Sequence, residues 1–171
     1  QPVVVENRPG GNGIVGAETV AHASADGHTL LVIDRGALVL NPSLYKSLGY
    51  DPLRHFAYTG IATELPYVLA VSAGSGIASL ADLAARARAK PKALNYASVG
   101  PGSLIHLNFE ALSQHLGIEM THVPYKGTQR TVSAVATGES AVMMSSLAGV
   151  AGFIRDGRLR AIAVGRGKRF A

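Results

Sequence analysis

From residue 94 onward, apolar positions alternate between two spacings. Short runs in which nearly every residue is apolar, as at 94–97 and 159–164, fit buried strands. Between them, apolar residues recur three and four positions apart, as on one face of a helix. The pattern predicts strand 94–97, helix 103–115, strand 119–123, helix 128–137, strand 140–144, helix 147–155 and strand 159–164. Gly117, Gly138 and Gly157 stand where helix-ending glycines belong. Four strands joined by three crossover helices predict a parallel, doubly wound α/β sheet.

The first third reads as a related but looser pattern. Val3, Val4 and Val5 form a β-branched run, the stretch 7–13 is built of turn residues, and Ile14, Ala17, Val20 and Ala21 have helical spacing over 14–23. With a further strand at 28–33 this makes a βαβ unit. Asp34 and Arg35 then fall at the carboxyl end of a strand, where open α/β sheets collect ligands; the same residues suit a surface turn. A helical turn follows at 41–45, with Pro42 allowed in its first turn, and then strands at 56–62 and 67–71. Ser72-Ala-Gly-Ser-Gly76 is the best boundary between two lobes. Ser79 caps a helix reaching Ala89, with Asp82 three residues on as in a capping box.

Composition narrows the classes of function. With 47% hydrophobic and 16% charged residues over 171 positions, a packed core is expected, as one average domain or two small lobes. The net charge is +5, but the basic residues lie in two short runs, Arg86-Arg88-Lys90-Lys92 and Arg166-Lys168-Arg169, with no Trp and scattered Tyr and Phe. That arrangement gives nucleic acid neither a basic face nor a stacking platform and fits small anions instead. The absence of cysteine excludes disulfides, thiolate-bound zinc and a cysteine nucleophile. No apolar run reaches the ~20 residues of a spanning helix. The chain opens directly on a strand-like run, as a piece of something longer would.

The most pointed chemistry lies at 98–103. Ser98, Gly100 and Gly102 are turn formers, and Ser103 stands at the N-cap position of the next helix. A helix start offers unpaired amides and partial positive charge, which suit a carboxylate or phosphate, although ordinary strand–helix turns share this composition. In a parallel sheet the same edge receives Tyr125, Lys126, Gly127 and Thr128, then Ser145. Lys126 there is either a ligand cation or a solvated surface lysine. His106 and Glu110 lie four apart on one predicted helix, but a catalytic zinc needs three protein ligands and His115 is too far along to supply one. No nucleophile elbow, Walker loop or dinucleotide fingerprint is present. The reading is of a binding protein rather than an enzyme, with no cofactor and no metal.

Several stretches then become recognisable in order: Val3-Val-Val-Glu-Asn-Arg-Pro-Gly-Gly11, Gly16-Ala-Glu18, Ala25-Asp-Gly-His-Thr-Leu-Leu31, Asn41-Pro-Ser-Leu-Tyr45, Leu94-Asn-Tyr-Ala-Ser98 and His122-Val-Pro-Tyr-Lys-Gly127. Together they resemble the Bug family, the extracytoplasmic solute receptors of tripartite tricarboxylate transporters. The resemblance implies a periplasmic-binding-protein-like α/β fold of two lobes with parallel doubly wound sheets. It implies a periplasmic receptor that closes on a small mono- or dicarboxylate and delivers it to membrane permease subunits. The loop 98–103 and residues 125–128 would line its cleft. Family members carry an earlier strand, a Gly-Gly loop and a first helix, and continue beyond the position of Ala171, so the first lobe is expected to be incomplete. The lobes become 1–73 with the crossing strands, 74–165, and a return segment beginning at 166–171. Half of the carboxylate clamp would then be missing. The resemblance thus leaves a second reading, a self-associating receptor-like domain with little affinity that dimerises through exposed strand edges. Relatives often have Phe-Asp-Asn where this chain has Met144-Ser145-Ser146, which disfavours a ligand with a positive amine.

Overall fold

The computed structural model describes residues 2–165, and the chain divides into two units, Gln1–Thr63 and Glu64–Ala171. The predicted return segment at 166–171 lies outside the described residues.

In the second unit the alternation read from the sequence is present almost position for position. Its elements are β1 (Tyr67–Ser72), α4 (Leu80–Ala89), β2 (Asn95–Ser98), α5 (Leu104–Leu116), β3 (Thr121–Pro124), α6 (Thr128–Ala136), β4 (Val142–Ser146), α7 (Leu147–Arg155) and β5 (Leu159–Val164). The strands form one sheet in the order β3-β2-β4-β1-β5. β2 runs parallel to β3 and β4, while β1 is antiparallel to both β4 and β5. The four strands predicted to be parallel, β2 to β5, all run the same way, and β1, inserted antiparallel between β4 and β5, makes the sheet mixed. The chain enters at the edge where β4 ends, with the Leu147 amide donating to the Pro66 carbonyl at 2.9 Å. A strand entering there has to run down the sheet, opposite to its neighbours.

Side chains alternate between the two faces of the sheet, as the pleat requires. Val68, Ala70, Ala97, Met143 and Leu159 pack under Val132 and Val135 of α6 and Val150 of α7. Leu69, Val71, Tyr96 and Val142 pack under Leu83 of α4 and Phe109 of α5. The caps are those the sequence indicates. Ser79 Oγ accepts from the Asp82 amide at 3.1 Å, and Asp82 in turn accepts from the Ala78 amide at 3.0 Å. Gly117 ends α5 at φ 61°, a left-handed conformation that costs glycine little.

The first unit holds three short helices, α1 (Ile14–Ala21), α2 (Arg35–Val39) and α3 (Asn41–Leu44). They gather around Asn41, 1% exposed, whose amide donates to the Asn12 carbonyl at 3.1 Å and the Tyr50 hydroxyl at 3.3 Å. The strands predicted at 3–5, 28–33 and 56–62 are not formed among the described residues. A strand exists only as a member of a ladder, and these segments find no ladder partner, so β-branched composition alone does not make them strands.

Candidate functional site

Because β3, β2 and β4 are adjacent and run the same way, the turns that follow them open at one edge of the sheet. Each turn starts a helix: α5 after N-cap Ser103, α6 after Gly127 and α7 after Ser146. Three helix N-termini thus share an edge, which gives it positive potential without requiring a charged side chain.

The turn after β2 is tied into itself. Buried Ser98 accepts the Gly100 amide at 3.0 Å, and its Oγ lies 2.6 Å from His122 Nε2. The Gly100 carbonyl accepts both the Ser103 hydroxyl, at 2.7 Å, and the Ser103 amide, at 3.3 Å. Ser103 Oγ accepts the His106 amide at 3.3 Å, and the Gly102 amide donates to His106 Nδ1 at 3.2 Å. Gly100 and Gly102, turn formers and candidate ligand-binding residues in the sequence, both have their amides engaged within the turn. The amides without a partner among the described residues are those of Leu104 and Ile105.

The other two helix starts meet each other. The point where a Gly149 side chain would begin lies 3.2 Å from Ser146 Oγ, 3.3 Å from Ser145 Oγ and 4.0 Å from Thr128 Cγ2. Ser146 Oγ caps α7 by accepting the Gly149 amide. Ser145 as a residue is 3% exposed, and its Oγ is not a buried unpaired atom; among the described residues that place is held by Ser113 Oγ. Lys126 is exposed and joins no ion pair among the described residues. Gly127 adopts φ 85°, which glycine allows at the start of α6. Tyr125 turns away from this edge. Its hydroxyl donates to Glu139 at 3.1 Å and lies 2.9 Å from Ser140 Oγ, at the beginning of β4, with the Arg130 guanidinium 5.8 Å from its ring. It braces the turn and does not present its hydroxyl to the edge. Asp34 and Arg35 belong to the first unit, where the Asp34 carboxylate accepts the Gly36 amide at 2.6 Å and caps α2, and Arg35 is exposed.

Behind the 98–103 turn lies a cluster the sequence shows only in part. Tyr96 stacks on Phe109 at 4.0 Å and on His122 at 5.0 Å between ring centres, and His106 lies 4.3 Å from His122. The Tyr96 hydroxyl donates to Glu110. Burial, then the Glu110 carboxylate, push the Tyr96 phenol well above its ordinary range. Burial, then the neighbouring His106, hold the His122 imidazole below its ordinary value, against the opposing pull of Glu110. The sequence flagged His106 and Glu110 for their helical spacing, but His122 joins them only through the Tyr96–His122 register of β2 and β3. Among the described residues no three His, Asp or Glu side chains are placed to hold a metal.

A family profile described as tripartite tricarboxylate transporter family receptor matches residues 1–171. A protein of Pseudomonas sp. (strain P51) from the tcbD–tcbE intergenic region is 38% identical, over 96% of this chain and 48% of its own length. Protein BugT of Bordetella pertussis is 33% identical over 96% of this chain and 51% of its own. Among solved structures, an R. palustris protein with adipate is 32% identical, with a TM-score of 0.92 over 97% of this chain and 56% of that one. MatC of Rhodopseudomonas palustris with bound malate is 29% identical, with a TM-score of 0.86 over 99% and 57%. The periplasmic binding protein BugD is 29% identical, with a TM-score of 0.87 over 97% and 55%. The chain spans about half the length of the curated relatives it matches. The matched family is one of transporter receptors, and BugD is a periplasmic binding protein.

Proposed function

Because this chain belongs to the tripartite tricarboxylate transporter receptor family, we propose that its second unit supplies one side of a binding site for a small mono- or dicarboxylate. The observation that carries this reading is the place of Ser145: its Oγ lies beside the Gly149 backbone and Thr128, where the starts of α6 and α7 meet. A carboxylate oxygen accepts from that hydroxyl, and the positive ends of both helices complement its charge. The Leu104 and Ile105 amides and Lys126 extend the same positive edge. Gly100, Gly102, Ser103 and Tyr125 hold the turns in place, and no acidic side chain stands in Met144-Ser145-Ser146 to receive an amine. The adipate and malate bound by similar proteins fit this chemistry. In the whole receptor we place this site in the periplasm, handing its ligand to permease subunits of the transporter. No helix among the described residues is long and apolar enough to cross a membrane.

Titration with adipate and with malate, followed by amide resonances, tests the site. The expected shifts gather at 104–105, 128–130 and 147–149 and are weakened in Ser145→Ala. Shifts spread over the surface, or equal in that variant, would reject it. The exposed apolar residues Val3, Val4 and Val5 favour a second reading, a self-associating receptor-like domain with little affinity. No shift with either acid, alongside a stable homodimer, would select it.

A further inference from the structure

Ser98 Oγ occupies the Gly100 amide of the turn, and His106 occupies the Gly102 amide with a ring that can carry a proton. Nδ1 accepts the Gly102 amide at 3.2 Å, and it does so only while that nitrogen carries no proton. The ring faces Tyr96 from β2, His122 from β3 and Glu110 one turn along α5, and the turn 98–103 contributes no titratable group. Two imidazoles 4.3 Å apart do not readily both become cations. Burial, then His106, lower the His122 pKa, and its Nε2 lies 2.6 Å from Ser98 Oγ. His106 is the ring of the pair that touches the backbone of the turn.

We propose that His106 is a proton-operated latch on the 98–103 turn. Neutral, it holds the Gly102 amide and closes that donor to other acceptors. Protonated on both nitrogens, it repels the amide, frees it, and places a cation beside the Leu104 and Ile105 amides. Where the turn borders a carboxylate site, as the preceding reading has it, anion binding is then linked to proton uptake by His106. Histidine is the side chain whose unperturbed charge change falls between pH 5 and 8.

The test uses the full chain in two arms. In the first, without ligand, the Gly102 amide resonance and the His106 ring nitrogens are followed from pH 8 to 5. The expected result is a Gly102 shift with the midpoint of the His106 ring, absent in His106→Gln, which keeps an acceptor but cannot titrate. A Gly102 amide that stays put while His106 titrates overturns the proposal. In the second arm sulfate, doubly charged throughout this range, is titrated at both ends of it. Affinity about tenfold higher at the acid end, the size of one charge-assisted contact, supports the linkage. The same increase in His106→Gln overturns it. A titrating latch with no response to adipate or malate at either pH would reject the receptor reading and leave the latch standing.

Discussion

His122 couples pH to folding through its depressed pKa. The unfolded chain's histidine titrates at ~6.5, and the folded one lower, because burial and the nearby His106 disfavour its charge. Between the two values the unfolded state binds the proton that the folded state refuses, so stability rises with pH across that window. The contribution is intact above the ordinary value and is lost progressively as pH falls below it. Urea unfolding midpoints are expected to drop between pH 7.5 and 5, and to drop less in His122→Gln; parallel declines would remove His122 as the cause. Gly149 tests the opposite corner of the edge. Alanine there gains about 1 kcal/mol of helix propensity, while its methyl group presses on Ser146 and Ser145 Oγ from 3.2 and 3.3 Å. The expected outcome is a thermal midpoint close to wild type with adipate shifts lost; retained shifts would show that Ser145 needs no open space. These two residues also mark what a sequence reveals. Ser103 and Ser79 are readable as caps because a cap acts within one turn of chain, whereas the meeting of His122 with Tyr96 depends on strand register, and the approach of Ser145 to Thr128 depends on two helices starting side by side.

Helix α5 joins the turn to the core, so its two ends can be tested separately. Ser103 caps it and also donates to the Gly100 carbonyl, and Ser103→Ala should cost about 1 kcal/mol in chemical denaturation while broadening the Gly100 and Gly102 amide signals. Phe109 is 1% exposed and stacked on Tyr96, so Phe109→Ala should cost about 3–5 kcal/mol. If both variants lost the same amount, the cap would be carrying packing as well as hydrogen bonds. The elements from 80 onward are legible because periodicity, cap residues and terminal glycines agree with one another. The direction of β1 is not. Tyr67–Ser72 has the composition of either kind of interior strand, and where its chain enters the sheet sets its sense.

The two units differ in how well they satisfy themselves. The second buries both faces of its sheet. In the first, Val3, Val4 and Val5 are 85, 89 and 83% exposed, and Leu30, Val32 and Ile61 are exposed as well. Exposed, β-branched, unpaired segments are templates for strand pairing with another chain. The strands expected at 3–5 and 28–33 are absent for the same physical reason: their residues suit a ladder, and the incomplete first lobe that the family resemblance implies leaves them no partner strand among the described residues. Light scattering should therefore give a mass that rises with concentration for the full chain, while residues 64–171 alone stay monomeric. Val4→Lys should lower the association, because a charge on an unpaired strand opposes edge-to-edge pairing. A monodisperse monomer at high concentration would mean that these valines are exposed without being adhesive. Association retained by residues 64–171 would move the contact to the second unit, where the free β3 and β5 margins of the sheet are the remaining edges.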